Sequence, residues 1–591
     1  MTTPSRKRER ASAEPGPGRI ARVLDGIERV GNRIPDPFVL FFILFAVVAV
    51  VSTAMAANGA SYEIPGSEEG PQEIKGFFTA EGITWLTTTL VENFVGFPPL
   101  GVVLTVLLGV GIAQRTGLLT ALVRRAFGRS PRWLLPYVAS FVAVSGSIMS
   151  DAAMVVIPPL AAMVFKAAGR HPVAGLLGAY ATATAAFSCS PFVTSTDALL
   201  SGITNAAAAS VEVGSHVSPI SNYYITLVIS LILSVAGGFM IDRVLEPAIL
   251  RRGISRDRAA AEEDAPGEDR PDERMDPELS PAERRGLRWA GLALLLTVAG
   301  ILALCLPGGA PMRNEDGAFL PESPLLDSVV FFVFTVLALP GVAYGIATRV
   351  ITKGADLALL MGRTVKEMSS FVVLAFVMAQ FLALFNWSGI SSWIAIQGAD
   401  GLEATGFTGF PAILCFILLA FCVNLFIISG SAMWALLAAV FVPMFALLGY
   451  EPGFIQAAFR IGDSVSNVLS PLSPYLVIIL GFLRAYEPKA GIGTVIARCL
   501  PFTALFLVLW TALLALFYFT GLPIGPGMHP ASDPAAGPRR RRRGPAGGEP
   551  DDTGRQGARM TAGRTFYRNA TLIDGTGAAP SPTPSSPRPT G

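Results

Sequence analysis

The sequence predicts an all-α polytopic membrane protein, and three observations support the prediction. Hydrophobic residues make up 52% of the 591-residue chain and charged residues only 15%, against roughly 25% in a typical soluble protein. About nine apolar runs have the roughly 17–25 residues that a helix needs to cross a bilayer. Two further apolar runs are too long for one helix and are interrupted by small polar residues. A soluble domain is therefore excluded, and a net charge of +2 gives no support for binding nucleic acid.

The nine predicted crossings share high hydropathy and few charges. They lie near residues 36–57, 98–115, 172–200, 223–245, 286–306, 328–348, 369–387, 453–483 and 494–521.

Lysine and arginine, which are enriched in cytoplasmic loops, predict the orientation. Segment 1–33 is basic, so the N-terminus is expected in the cytoplasm of a multi-pass inner (plasma) membrane protein. Segment 250–285 is rich in Arg, Asp, Glu and Pro, which predicts a charged cytoplasmic linker between transmembrane halves 34–249 and 286–525. Segment 526–591 is rich in Pro, Gly and Arg and is predicted to be a disordered tail without stable contacts to the rest of the chain.

The two interrupted apolar runs, at 133–165 and 409–449, are predicted to be re-entrant helical hairpins. Basic residues flank the first run on both sides, which favours entry from the cytoplasm. Acidic residues flank the second, which favours entry from the outside. The two hairpins are therefore expected to be opposed.

Three matches in the same order relate the two halves and predict an inverted repeat, which in transporters points to a binding site at the interrupted helices. The matches are SGSIM (145–149) with SGSAM (429–433), Pro159 with Pro443, and Ser190-Pro191 with Ser473-Pro474.

Polar side chains inside the predicted membrane segments are functional candidates, because a charge in the bilayer is costly. The Arg460 guanidinium can hold a carboxylate through two parallel hydrogen bonds, and Trp434 offers a face for an aromatic ring. Two structural alternatives stand beside these roles. Arg460 could pair with Asp463 one helical turn away, and Trp434 could be an ordinary core or lipid-facing aromatic residue.

A coupling ion, Na⁺ or H⁺, is the one cofactor expected. Asp463 and Asn467, together with hairpin carbonyls, offer the oxygen ligands that suit Na⁺, whereas Asp197 or Asp151 could carry a proton. Cysteine and histidine show no metal-ligand spacing, so no metal site is expected. Four serines at the hairpin interruptions are expected to line the same site, unless they only make ordinary helix hydrogen bonds: Ser145, Ser147, Ser429 and Ser431.

Six stretches spread over residues 25–520 carry a family resemblance. They are ERVGNRIPDPFVLFFIL (28–44), FPPLGVVLTVLLGVGIA (97–113), SDAAMVVIPPLAAMVFKAAGRHPVAGL (150–176), TDALLSGIT (196–204), SGSAMW (429–434) and FRIGDSVSNVLSPLSPY (459–475). Together they resemble the p-aminobenzoyl-glutamate transporter (AbgT) family. The resemblance implies nine spans, two opposed hairpins and a homodimer with a water-filled basin open to the cytoplasm.

The same resemblance implies transport roles for Asp197, Trp434, Pro452 and Arg460. It also implies ion-driven import of aminobenzoyl-glutamate or export of sulfonamide-like antimetabolites. The chain departs from the family where it reads FSCSP (187–191) instead of a sequence close to GFSANL, so a serine replaces a side-chain amide. The resemblance therefore leaves open whether the cargo or one ion site differs from that of the family.

The sequence thus predicts a secondary transporter of a small aromatic or amino-acid-derived organic anion, with substrate, membrane lipid and a second copy as partners. The alternatives are a sodium-coupled carboxylate transporter with a different cargo and a channel. An enzyme is not expected, because GxSxG, HExxH and P-loop motifs are missing from the sequence. Residues 565–577 resemble the opening strand of an amidohydrolase, either by chance or as a relic of a neighbouring gene.

Overall fold

The computed structural model describes residues 35–63, 70–128, 130–150, 152–211, 216–254, 279–319, 323–427 and 429–531. Within these ranges nearly all regular structure is helical, which confirms the all-α prediction. The exception is a two-stranded antiparallel hairpin formed by Ser61–Tyr62 (β1) and Gln72–Glu73 (β2).

The helices are numbered here in chain order. The first half contains α1 (Pro37–Ala57), α2 (Ala80–Val95), α3 (Pro98–Arg115), α4 (Leu118–Phe127), α5 (Leu135–Ser145), α6 (Ala152–Ala167), α7 (Pro172–Ala185), α8 (Ser195–Ala208), α9 (Tyr223–Phe239) and α10 (Glu246–Arg251). The second half contains α11 (Pro281–Cys305), α12 (Pro324–Asp327), α13 (Val329–Ala347), α14 (Gly354–Glu367), α15 (Ser369–Trp387), α16 (Ile390–Thr405), α17 (Phe410–Asn424), α18 (Gly430–Leu447), α19 (Pro452–Ser466), α20 (Pro474–Arg484) and α21 (Ile492–Thr520).

Capping residues and prolines at the first helical position start several of these helices. The Asp36 side chain accepts a hydrogen bond from the backbone N–H of Phe38 at the start of α1. Ser280 and Glu283 form a reciprocal capping box at the start of α11, and both helices have proline within the first two helical positions. Proline suits this position because its missing N–H would have no partner there.

Nine helical segments in the described part of the chain are long and apolar enough to cross a membrane. The predicted number is thus confirmed, but the nine segments are not all the ones that were predicted. The segment Gly430–Leu447 is among the nine, and α2 joins α3 in one apolar stretch from Ala80 to Arg115. The predicted single crossing over 172–200 is wrong. Its two helices have 14 residues each, so each is about 21 Å long and too short to span about 30 Å of hydrocarbon.

Both places where a Ser-Pro pair recurs are interruptions in the helical backbone. Residues 186–194 separate α7 from α8, and a 3₁₀ turn at Asn467–Leu469 followed by Ser470–Ser473 separates α19 from α20. Proline lacks the N–H that a helix needs and disfavours helical backbone at the residue before it. The predicted crossing at 453–483 therefore contains a break that hydropathy alone did not show.

Each predicted hairpin is a pair of helices joined by a short non-helical or 3₁₀ segment. The first is α5 and α6, joined through the 3₁₀ turn Gly146–Met149, and the second is α17 and α18. The two halves exchange partners, since α8 packs against α18 and α20 packs against α6. A repeated unit would produce this reciprocal packing. Entry of the hairpins from opposite membrane sides remains a prediction.

The packed structure extends beyond the predicted tail boundary at residue 526. Met528 is 1% exposed and lies against Gly453. The Ile524 N–H donates to the Met528 carbonyl over 2.9 Å, and Ala531 forms a β-bridge with Tyr450. The prediction that everything after 525 lacks stable contacts is therefore wrong for 526–531, because a large apolar side chain there fills a gap over a glycine. Residues 532–591, and the linker core 255–278, lie outside the described residues.

Candidate functional site

A cavity of about 850 Å³ lies where the two hairpins and the two interrupted helices meet. This volume is within the range of about 300–1,000 Å³ that is usual for small-molecule sites. Its wall includes residues from both hairpin turns, such as Ser150 and Gly430, and from both helix breaks, such as Phe187 and Leu472. The start of α1 also lines it. The repeated sequence elements thus converge on one space.

Three helix N-termini face the cavity. Ser429 caps α18 by accepting the N–H of Ala432 at 3.4 Å, and Ser431 is in the first turn. Ser195 begins α8 and Pro474 begins α20, and both line the cavity. Helix N-termini present unpaired N–H groups and the positive end of the helix dipole, so they attract anions.

The four predicted hairpin serines separate into two pairs. Ser429 and Ser431 line the cavity, and their hydroxyl oxygens are 3.2 Å apart. Ser145 and Ser147 are not on its wall. The Ser147 hydroxyl lies within hydrogen-bond distance of the carbonyls of Val144 (3.0 Å) and Cys189 (3.2 Å), so it ties the first hairpin to the break after α7.

Ser150, which the sequence prediction did not single out, takes the corresponding place in the first hairpin. Its hydroxyl is 3.0 Å from that of Ser195 at the start of α8. Its backbone φ is +49°, a conformation that is unusual for a residue with a side chain. The tertiary contact with Ser195 holds this turn against the start of α8.

Arg460 and Asp197 form a buried ion pair between the two halves. The Arg460 Nη1 donates to Asp197 Oδ1 over 2.6 Å and to the carbonyl of Ser188 over 2.9 Å. Asp197 Oδ2 accepts the N–H and the hydroxyl of Thr194, which caps α8. The alternative pairing with Asp463 is wrong, because Asp463 makes no ion pair within the described part of the chain. Arg460 and Asp197 lie behind the cavity wall rather than on it.

Asp463 is the buried acid on the wall of the cavity. Ser188 donates its hydroxyl to Asp463 Oδ2 over 3.1 Å, and Asp463 Oδ1 lies 3.3 Å from where a Cβ on Gly430 would be. A larger residue at position 430 would crowd this oxygen. The carboxylate thus faces the N-terminus of α18, which favours negative charge.

Asn424, at the end of α17, connects the second hairpin to α19. Its Nδ2 is within hydrogen-bond distance of the Asp463 carbonyl (2.7 Å), Ser466 Oγ (2.8 Å) and Asn467 Oδ1 (2.9 Å). Asn424 is fully buried, and its Oδ1 has no hydrogen-bond partner among the described residues. The residues predicted from the sequence did not include Asn424, although an amide within the apolar run 410–427 is itself a signal.

Trp434 and Pro452 lie away from the cavity. The Trp434 Nε1–H lies 3.1 Å from Thr204 Oγ1 and 3.2 Å from the carbonyl of Leu200, and its ring packs on Phe459 at 4.4 Å. Pro452 begins α19, eight residues before Arg460, which is about 12 Å of helix. Trp434 therefore has the position of a core aromatic residue, which was the structural alternative. To stack on a substrate ring in the cavity, its side chain would have to move.

Asp151 lies outside the described residues, so its predicted role as a proton carrier stays a prediction. Within the described part of the chain, three or more His, Cys, Asp or Glu residues do not gather at any point where they could hold a metal ion.

The family model described as "AbgT putative transporter family" matches residues 22–531. The chain belongs to this family. It is 39% identical to the p-aminobenzoyl-glutamate transport protein of Escherichia coli (strain K12) over 520 residues, which are 88% of this chain and 99% of that protein. The AbgT-family resemblance noted from the motifs is thus confirmed.

Two solved structures share the fold of this AbgT-family member. The YdaH transporter of Alcanivorax borkumensis has a TM-score of 0.77 and 34% identity, and the match covers 83% of this chain and 100% of that chain. MtrF of Neisseria gonorrhoeae, described as illuminating a class of antimetabolite efflux pumps, has a TM-score of 0.78 and 35% identity, covering 86% and 100%. The chain is thus a multi-pass membrane protein of a transport family.

Proposed function

We propose that this AbgT-family protein is an ion-coupled secondary transporter of a small aromatic organic anion, with p-aminobenzoyl-glutamate the first cargo to test. One observation supports the proposal above the others. A cavity of suitable size joins three helix N-termini to the buried Asp463 carboxylate, at the meeting point of two hairpins and two broken helices.

The N-termini of α8, α18 and α20 supply the attraction for the anion. Lys and Arg are missing from the cavity wall within the described residues, so backbone N–H groups and side-chain hydroxyls, among them those of Ser195, Ser429 and Ser431, are the available donors. Phe187, Phe426 and other rings on the same wall provide apolar surface for an aromatic group. The E. coli relative, named for p-aminobenzoyl-glutamate transport, makes that molecule a reasonable cargo.

The coupling ion follows from the charge of Asp463. An ionised carboxylate beside the anion site repels the cargo, and a bound cation cancels this repulsion, so that cation and cargo each raise the affinity for the other. Na⁺ is the better candidate, because Asp463 and the unpaired Asn424 Oδ1 are hard oxygen ligands next to the second hairpin. Asp197 is less suited to carry a proton than the sequence suggested, because both its oxygens are occupied by Arg460 and Thr194.

Proteoliposomes test this proposal. Wild-type protein should show counterflow of labelled p-aminobenzoyl-glutamate, and a Na⁺ gradient should drive its accumulation. Asp463→Asn should keep counterflow but lose the response to Na⁺, because the amide is neutral. Asp316→Asn, which makes the same change at an exposed loop carboxylate away from the cavity, is the matched control. Conduction without counterflow would support a channel. Accumulation that follows only a pH gradient would identify H⁺, and not Na⁺, as the coupling ion.

A homodimeric state and a cytoplasmic N-terminus in the inner membrane belong to the same proposal. Their support is the family membership together with the distribution of basic residues. Cysteine at position 35, where the cavity reaches the start of α1, tests the orientation. A membrane-impermeant thiol reagent should label it only from the cytoplasmic side. Labelling from the outside would show that the proposed orientation is wrong.

A further inference from the structure

A second cavity lies away from the transport site, between the last helix and the end of the first half. It has a volume of 120 Å³ and is lined by the π-helical turn Met240–Leu245, by α10 and by the first turns of α21. Two arginines, Arg252 and Arg498, are on its wall, and the other lining residues are apolar. Two guanidinium groups on an apolar wall are the notable feature.

Arg498 is nine-tenths buried and only partly paired. Its Nη2 donates to Glu487, at 3.1 Å from Oε1 and 2.8 Å from Oε2. Its Nε and Nη1 have no hydrogen-bond partner among the described residues. Native proteins pair nearly all buried donors, because an unpaired one has lost its water without compensation. Because Arg498 is part of the cavity wall, a bound group with acceptor oxygens would supply the partner that these donors lack.

The charge balance specifies the ligand further. Glu487 neutralises one arginine, so the exposed Arg252 leaves the cavity with a net positive charge. A guanidinium matches the oxygens of phosphate through parallel hydrogen bonds. About 10–15 Å³ of cavity volume measured in this way admits a water, so 120 Å³ has room for a tetrahedral group.

We propose that this cavity binds a phosphate group, carried by an anionic phospholipid or present as free phosphate. The apolar remainder of the wall, including Val244 and Phe502, suits an acyl chain. Basic pockets between helices on the cytoplasmic side favour anionic head groups, and the positive-inside rule predicts that side for Arg251 and Arg252. The ligand would join α10 of the first half to α21 of the second, so binding should stabilise the folded protein.

The test compares thermal stability of purified protein in detergent with three additions. These are phosphatidylglycerol, phosphatidylcholine, and inorganic phosphate against chloride at equal ionic strength. Arg252→Gln removes one guanidinium from an exposed position, so it should fold. Arg251→Gln is the matched control, because it removes the neighbouring charge outside the cavity wall. Arg498→Lys keeps the charge but not the planar fork.

Phosphatidylglycerol should stabilise wild type and Arg251→Gln more than phosphatidylcholine does. About tenfold more of it should be needed for Arg252→Gln, because one charge-assisted interaction is lost. The same variant pattern with inorganic phosphate, without a lipid effect, would identify free phosphate as the source. If Arg252→Gln responds like wild type in every arm, or if Arg251→Gln is weakened equally, the site is refuted. Arg498→Lys should show the same weakened response to the ligand as Arg252→Gln. If Arg498→Lys does not fold, the response of Arg252→Gln alone tests the site.

Discussion

Breaking the Arg460–Asp197 ion pair separates a structural role for these residues from a direct role in holding the cargo. The perturbation is Arg460→Gln, which keeps hydrogen-bonding capacity but removes the charge. Removing one member of a buried pair costs about 3–5 kcal/mol, since the other charge stays buried. Asp197 keeps two hydrogen bonds from Thr194, so we expect the lower end, about 3 kcal/mol.

The assay has a stability arm and a transport arm. In detergent, a loss of about 3 kcal/mol should lower the thermal midpoint by about 3 °C in a chain of this size. The double variant Arg460→Gln/Asp197→Asn should be about 2 kcal/mol more stable than the sum of the two single losses predicts. The reason is that the double variant leaves no unpaired charge at this position. Arg460→Lys keeps the charge but should still lose part of this stability, because the shorter side chain does not place its ammonium where Nη1 contacts both Asp197 and Ser188.

The transport arm decides between the two roles. If Arg460 acts through the ion pair, surviving Arg460→Gln protein should show a reduced maximal rate and a KM close to wild type. The carboxylate clamp expected from the sequence instead predicts a KM raised about tenfold to a hundredfold, from the loss of about 1.5–3 kcal/mol. A raised KM at unchanged thermal stability would refute the structural reasoning and place Arg460 against the cargo.

Three further predictions concern other parts of the chain. Truncation after Ala531 should leave uptake and thermal stability unchanged, whereas truncation after Pro526 should cost about 2–5 kcal/mol, because it deletes the buried Met528; equal stability of the two truncations would contradict this. Trp434→Phe should cost about 1–3 kcal/mol through the lost Nε1–H donor and leave KM unchanged in uptake assays, whereas a raised KM would restore the stacking role. Asn424→Ala should raise the Na⁺ concentration for half-maximal uptake about tenfold, since an oxygen ligand is lost; unchanged Na⁺ dependence would exclude this residue from the ion site.

Hydropathy and helix length are local properties, so they were sufficient to predict the membrane-embedded, all-helical class of the protein. The interruptions of the two long apolar runs and the Ser-Pro breaks were also visible, since proline and small polar residues interrupt a helix wherever they stand. Local patterns were less able to show which apolar runs cross the membrane as single helices. The run at 172–200 has the hydropathy of a span, yet its backbone is broken at Pro191.

The partners of the polar side chains depend on tertiary packing and could not be read from local spacing. Arg460 has an acidic residue one turn away at Asp463, and local spacing favours that pair. It pairs instead with Asp197, 263 positions earlier, because the interrupted helices of the two halves pack together at this point. That pairing leaves Asp463 facing the cavity beside Gly430. The physical reason is that helix formation depends on neighbours in sequence, whereas a buried charge is stabilised by whichever opposite charge the packing of distant helices brings within hydrogen-bond distance.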